Sequence, residues 1–569
     1  MNDSARTSVG QDVATAKQTS TPLDSVSVGI MWDRLVSISD EIVSTLVRTS
    51  FSTIVTESYD LTVAVLDADG ELMAQGTYSV PVFMGTAPAT LQFMLERFPA
   101  DSLRPGDVVV TNDPWFGTGH IFDINVMRPI FHDDKIVAYV ISITHLPDVG
   151  GLGFGAAAEE IYHEGLRLPI CKLFDGGELN EFIIELVRTN VRTPDEVIGD
   201  LMANVTATAA GERMLIEFLT EYDQPDFKAL SGEIRSRSRI AIQARIADMR
   251  PGIYRNSVQI EGTDAPITLA LAIEVRADGT LHADFEGTGE CVRRGINVPF
   301  CYTRAMVLYT IKCLTVPELP NNGGMTVPIT VFAPEGCLLN AQPPAATGAR
   351  HMIGHYVAPL VLGALVDAAP DRVMADCGMM NLLTLQGTHR DGRAMSTLYF
   401  ASGGFGALMD HDGPEVLPGP SNMAVVPVEV WETLTSTTVE SKRLLPDSGG
   451  AGKARGGLGQ EVVIRNDSGS LLTVLCMANR TEFAPQGFAG GQAGRLREMR
   501  LDGEVIDPKG RHQVAPGARI TLIEAGGGGY GEPRDRARED VLRDLRNGLI
   551  TAEAARTRYG VDVADSEIV

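Results

Sequence analysis

Two hydrophobic periods alternate along this chain, and any fold it adopts must satisfy both. Leu35, Ile38, Ile42 and Leu46 recur at steps of three, four and four, which puts them on one face of a helix. Shortly after, Leu61, Val63 and Val65 interleave with Thr62, Ala64 and Leu66 at a period of two, as a strand requires. Asp67-Ala68-Asp69-Gly70 then reads as a turn, and Glu71-Leu72-Met73-Ala74 as the second arm of a hairpin. Residues 105–150 are β-rich: Val108-Val109-Val110 stops at Thr111-Asn112-Asp113-Pro114, and Ile136–Ile141 resembles a buried strand. Residues 180–250 switch to long helices, with Ile184, Leu186, Val187, Val191, Val197, Leu201 and Met202 as the expected buried positions. Antiparallel strands follow over 253–290 with a turn at Asp278-Gly279, helix over 345–370, and strands again over 375–405 and 430–480. The chain therefore predicts an α+β fold, a large multi-layered assembly of mixed antiparallel sheets and helices. The expected organisation is a mobile polar tail over 1–25, one catalytic region over 26–534, and a helical tail over 535–569 in which Val541, Leu542, Leu545 and Leu549 share a face.

Composition narrows the functional classes. With 44% hydrophobic residues among 569, there is ample material for large cores. No run approaches the roughly 20 apolar residues needed to span a bilayer, and the first residues lack the apolar stretch of a signal peptide. The charge balance of 48 Lys+Arg against 73 Asp+Glu leaves −25, which repels phosphates and anionic lipid. Neither a nucleic-acid partner nor a membrane is expected. Seven cysteines, an odd number without a CxxC pair, predict reduced and mostly buried thiols in a cytoplasmic protein.

Four residues stand out as candidates for chemistry: Asp60, His120, Asp123 and His145. His120 and Asp123 follow the Gly117-Thr118-Gly119 loop, and His145 follows an apolar strand directly. Side chains at strand ends can converge on one point while the strands hold them rigid. Two imidazoles with carboxylates suit a divalent ion such as Zn²⁺, Mn²⁺ or Fe²⁺. Such an ion polarises a carbonyl or lowers the pKa of bound water to about 7. A histidine in a polar loop is equally a solvated or capping residue, and HxxD is a short pattern. Its repetition at 120/123 and 145/148 adds little.

Other motifs point away from chemistry. Asp447–Gly459 is glycine-rich, yet Ala454 after Lys453 breaks the phosphate-loop signature, and Gly526–Gly531 runs into Glu532-Pro533 rather than a helix. Both read as structural turns, so no ATP site is expected on this chain. His351 and His355 share a helical face but lack the glutamate of a zinc-protease motif, which suggests a helix surface or a contact between subunits.

A set of segments in fixed order carries more weight. ESYD through LDADGELMAQ, TNDPWFGTGHIFDI, HLPDVGG, EIYHEGLRLP, GINVPF, PPAATG, LLPDSGGAGKARGGLG and AGGGGYGEP together resemble the hydantoinase B/oxoprolinase family over nearly the whole chain. The resemblance implies a hydantoinase B-like fold and a B-type subunit that works with a hydantoinase A-type ATPase partner in a hetero-oligomer, with ATP and Mg²⁺ bound by that partner. It implies a divalent metal (Zn, Mn or Fe) held here by Asp60, His120, Asp123 and His145. Asp148 or Glu57 would act as base or as orienter of a ligating imidazole. The reaction implied is hydrolysis of a cyclic amide, such as a hydantoin, oxoproline or lactam, after ATP-dependent phosphorylation of its oxygen. Related family members are ketone carboxylases of the acetone or acetophenone type, and a non-catalytic scaffold for the ATPase is the remaining alternative. Many hydrolytic relatives carry a serine in the turn after HxxDxGG. Here Gly153–Ala158 is apolar, which leaves the choice between lactam and ketone open.

Overall fold

The computed structural model describes residues 23–262 and 265–563, so most of the expected N-terminal tail and the last residues of the C-terminal one lie outside the described residues. The first helix spans Ser25–Thr49, and Asp24 caps it by accepting from the Val26 and Ser27 N–H groups at 2.9 and 3.1 Å. Leu35, Ile38, Ile42 and Leu46 are all fully buried on one face, as their spacing predicts.

Seven antiparallel strands form the first sheet: β1 (Leu61–Asp67), β2 (Leu72–Gln75), β3 (Val108–Thr111), β4 (Asp123–His132), β5 (Lys135–His145), β6 (Cys171–Asp175) and β7 (Glu178–Leu179). Their order is β2-β1-β5-β4-β3-β6-β7. Asp67 Oδ1 accepts from the Asp69 and Glu71 N–H groups and closes the β1–β2 turn. The β4–β5 hairpin turns at Asp133-Asp134, both at positive φ, which matches the twist of the strands it joins. One face of the sheet, with Val63, Val65 and Val140, packs on the helices Ser25–Thr49 and Pro194–Glu221. Gly211 on the latter lets Ile42 approach, since a Cβ there would meet its Cδ1 at 2.8 Å. The opposite face, with Ala64, Leu66, Ile141 and Ile143, belongs to the largest core, together with the helix Phe300–Thr315. Burial on both faces explains the nearly continuous apolar runs of β1 and β5.

A second sheet joins Gly252–Ile260, Ile267–Val275 and Leu281–Asp284 in antiparallel order, with Ile329–Phe332 added in parallel. Two further sheets, of four and five strands, share a core around Trp431 and Tyr399. Between them Arg497 Nε meets Glu524 Oε2 at 2.6 Å with both side chains fully buried. The remaining Arg497 donors reach the carbonyls of Gly378, Met379 and Asn479, and Asn381 donates to Glu524 Oε1 at 2.8 Å. The strands from Glu498 to Ile523 escape periodicity arguments because they are two to five residues long and rich in charge.

The glycine-rich stretches are structural, with positive-φ turns only at their ends, Asp447 and Gly531. Across Gly449–Gly459 and Gly526–Gly529 none of the glycines has positive φ. Instead the backbones lie against one another: a Cβ on Gly456 would strike the Gly527 carbonyl, and one on Gly527 would strike that of Phe405. The segments bond through Gly450 N–H to Gly527 O, Gly457 N–H to Phe405 O and Gly528 N–H to Asp376 O. The first helix of the C-terminal tail, Arg538–Arg546, buries Val541 and Leu545 but ends before Leu549, and a second helix follows over Ala552–Thr557. The chain turns at Asn547-Gly548, and Ile550 takes the place in the core that Leu549 was expected to fill.

Candidate metal centre

Strand register assembles the centre. Asp123 opens β4 and His145 closes β5, and the two residues are direct cross-strand partners. Leu61 pairs with Thr144, so Asp60 lies one step before β1, level with His145, whose N–H donates to the Asp60 carbonyl at 3.1 Å. Tyr59, at φ +56, turns the chain into this strand from the short helix Thr53–Thr56. His120 arrives from the loop, where Gly119 at φ +96 leaves room for Arg350 and Tyr302, each about 3.1 Å from where its Cβ would be.

His120 Nε2 lies 2.8 Å from Asp123 Oδ2, and His145 Nδ1 lies 3.3 Å from Asp123 Oδ1 and 3.6 Å from Asp60 Oδ2. Donor atoms about 2.1 Å from an ion at tetrahedral angles sit about 3.4 Å apart, which these separations bracket. His120, Asp123 and His145 are buried, and their ligand atoms all fall within 4.8 Å of one another. The donor chemistry fits a cation for a specific reason. His120 Nδ1 lies 3.0 Å from the Gly348 carbonyl, an acceptor only, so Nδ1 carries the proton. Nε2 then presents a lone pair to the Asp123 carboxylate and makes no hydrogen bond despite its proximity. Two lone pairs held face to face want a positive ion between them.

The surroundings hold this arrangement. Burial and Arg350 push the His120 imidazole down to about 4. For Asp123 burial acts upward, but its charged and hydrogen-bonding neighbours, with the Arg350 guanidinium the permanent cation among them, outweigh it and hold the carboxyl well below its usual range. Burial pushes Asp60 up to about 6, with His145 opposing. Arg350 Nη2 donates to Asp123 Oδ2 at 3.0 Å and its Nε to the Thr118 carbonyl at 2.7 Å, while its guanidinium lies 3.8 Å over the Tyr302 ring. Thr118 Oγ1 also donates to Asp123. Phe122 stacks on His145, and Phe154 meets it edge-on at 4.7 Å, so rings close the apolar side. The pocket is narrow, about 30 Å³, room for an ion with a water.

Asp60, His120, Asp123 and His145 therefore line one pocket. Asp148 and Glu57 are not among its lining residues. The Asp148 carboxylate is taken by Arg192, whose Nη1 lies at 2.6 Å, and by the Gly150 and Arg192 N–H groups. Glu57 ends the helix Thr53–Thr56 with its N–H on the Thr53 carbonyl. The expectation for His351 and His355 is overturned: both are buried, and both line the pocket. Their helix is one turn long, His351–Gly354, and is covered all round, so no surface face exists.

Glu164 was not anticipated, although it lies in the EIYHEGLRLP segment. Its Oε1 accepts from the Thr347 and Gly348 N–H groups at 2.7 and 2.6 Å, bracing the loop that meets His120, and its Oε2 has no partner. Burial pushes this carboxyl up to about 8 from an ordinary 4.5. A raised carboxyl contributes its stability fully below the unfolded value and loses it as pH climbs to the folded one. Stability should thus fall by a few kcal/mol between about pH 5 and 8. Glu164→Gln keeps the acceptor and should flatten that slope. Urea midpoints across this range, compared for the two proteins, check it, and parallel slopes would refute it.

A buried pair of imidazoles with carboxylates, converging at and beside strand ends, marks a protein built around a candidate metal site. The chain belongs to the hydantoinase B/oxoprolinase family, whose profile matches residues 24–533. It is 28% identical to the B component of a putative D-/L-hydantoinase from Pseudomonas sp. strain NS671, with 96% of each chain covered. It is 29% identical to the beta chain of the caprolactamase of Pseudomonas jessenii over 95% of this chain and 96% of that one. The crystal structure of that organism's ATP-dependent caprolactamase superposes with a TM-score of 0.88 at 27% identity, covering 96% of this chain and 98% of that one. A nucleotide-free acetone carboxylase shares the fold at a TM-score of 0.86 and 19% identity, over 94% and 79% of the two chains. The α+β reading and the family resemblance both hold. No helix among the described residues is long and apolar enough to cross a membrane.

Proposed function

We propose that this chain is the metal-bearing B-type subunit of an ATP-dependent amidohydrolase, which opens a cyclic amide after an A-type partner has phosphorylated it. The observation that carries this reading is the His120 lone pair held against Asp123 inside a buried cluster, a geometry that a divalent cation would relieve. Family membership and relatives named as subunits of a hydantoinase and a caprolactamase support the reaction class and the need for a partner.

An amide resists water because its nitrogen lone pair is delocalised and an amine leaves poorly. Phosphorylating the oxygen removes that resonance. A divalent ion here would polarise the activated carbon's substituents and lower the pKa of a water. The chain's own residues set the stage. Gly348 fixes the His120 tautomer so that Nε2 faces inward, Arg350 and Thr118 keep Asp123 ionised and oriented, and Asp60 supplies the fourth donor at the pocket edge. Asp148 serves by tying the loop after His145 to Arg192 rather than as a base. Phe122 and Phe154 exclude bulk water from an intermediate that would otherwise hydrolyse off the enzyme.

The glycine segments are packed against backbone, which supports assigning ATP to the partner. Calorimetry on this chain alone should show no ATP binding. Mixed with an A-type partner it should form a stable heteromer burying at least about 2,000 Å². With ATP and Mg²⁺, hydantoin, 5-oxoproline or caprolactam should yield ADP and a ring-opened amino acid without bicarbonate. Turnover of a ketone to a β-keto acid only when bicarbonate is present would reject hydrolysis in favour of carboxylation.

A further inference from the structure

Several elements that line the metal pocket continue into a second cavity. Along the helix Phe300–Thr315, Tyr302 lines the metal pocket, whereas Tyr309 and Cys313 line the second cavity. The seven residues from Tyr302 to Tyr309 amount to a rise of about 10 Å. His355 likewise belongs to the first pocket, and Ala358 and Leu362 to the second. The segment between the two alternates its contacts, with Pro420 and Asn422 on the second cavity and Ser421 and Met423 on the metal pocket.

This second cavity has a volume of about 300 Å³, the scale of a small-molecule site. Leu314, Leu362, Met374, Phe405 and Leu408 make its walls apolar, and no aspartate or glutamate lines it. Arg372 is its one cationic lining residue. Arg372 Nη1 is buried without a hydrogen-bond partner, and the Asp371 carboxylate lies 3.9 Å from Nε and is largely exposed. An unpaired guanidinium donor beside an apolar void favours a ligand that brings an anion and a hydrocarbon body together.

We propose that this cavity binds a small apolar monocarboxylate, its carboxylate on Arg372 and its chain or ring among Leu314, Leu362, Met374 and Phe405. A zwitterionic amino acid is disfavoured, because no acidic side chain in the lining receives its ammonium group. The site does not depend on the metal reading. Calorimetry on the full chain with hexanoate and benzoate, against hexanamide and benzamide, tests it. The acids should bind at least about tenfold more tightly than the amides, the worth of one charged hydrogen bond. Arg372→Gln should erase that difference. Hexanoate should also slow iodoacetamide modification of Cys313, which is exposed at the cavity, but not of the half-buried Cys171 and Cys291. Binding and protection should persist after dialysis against a chelator. Equal affinity for acid and amide, an unchanged affinity in Arg372→Gln, or loss of binding with the metal would each overturn the proposal.

Discussion

Alanine in place of His120 or His145 should empty the site of metal while leaving the chain folded. Each imidazole contributes a neutral nitrogen to the cluster whose ligand atoms converge, and His351 and His355, which line the same pocket, are not among those atoms. Loss of a partner that merely orients a ligand lowers affinity by about 10–100-fold, and loss of the ligand itself should cost more. Elemental analysis after gel filtration should read less than about a tenth of the wild-type metal content in each variant, with unchanged circular dichroism. Folding should survive because the sheet that carries the site is held by cores on both faces that these side chains do not build. Full occupancy in both variants would sink the metal assignment.

The second large effect is on stability. Arg497→Met leaves Glu524 in a dry interior with only Asn381 as donor. Breaking a buried pair by removing one partner costs about 3–5 kcal/mol, because the surviving charge is uncompensated. The double variant Arg497→Met/Glu524→Leu should recover much of the loss, since two apolar side chains of similar volume carry no such charge. Denaturation midpoints for the single and double variants decide this. A single variant within about 1 kcal/mol of the wild type would show that Glu524 finds other partners or water.

What could be read ahead of the structure was what is local. The helix over Ser25–Thr49 and the β1–β2 hairpin depend on neighbours within a few residues, and their periodicities are visible in the chain. The pairing of β1 with β5 joins residues some 80 positions apart, and no local pattern announces it. Candidate ligands at strand ends were visible by position, but their shared role came from the family resemblance rather than from spacing. Arg350 and Tyr302 approach the centre from more than 150 residues away, so nothing beside His120 hinted at them. Asp148 shows the reverse failing. Its HxxD spacing duplicates that of Asp123, yet Arg192, 44 residues on, claims its carboxylate. His351 and His355 were misjudged because an i, i+4 pair implies an exposed face only if the helix lies on a surface.

The backbone-to-backbone contacts of Gly449–Gly459 with Gly526–Gly529 divide the molecule into parts that differ in how freely they can change. Around the metal pocket the walls are side chains such as Phe154, Met380 and Leu382, and one apolar shape can be exchanged for another at modest cost. In the glycine layer there is nothing to exchange, because the smallest available change, one methyl group, already collides with a carbonyl. A library that randomises the pocket should therefore return many folded members with altered substrate preference. One that randomises Gly456, Gly457 or Gly527 should return almost none. New specificity in this scaffold has to be sought among the pocket side chains, with the glycine layer left untouched.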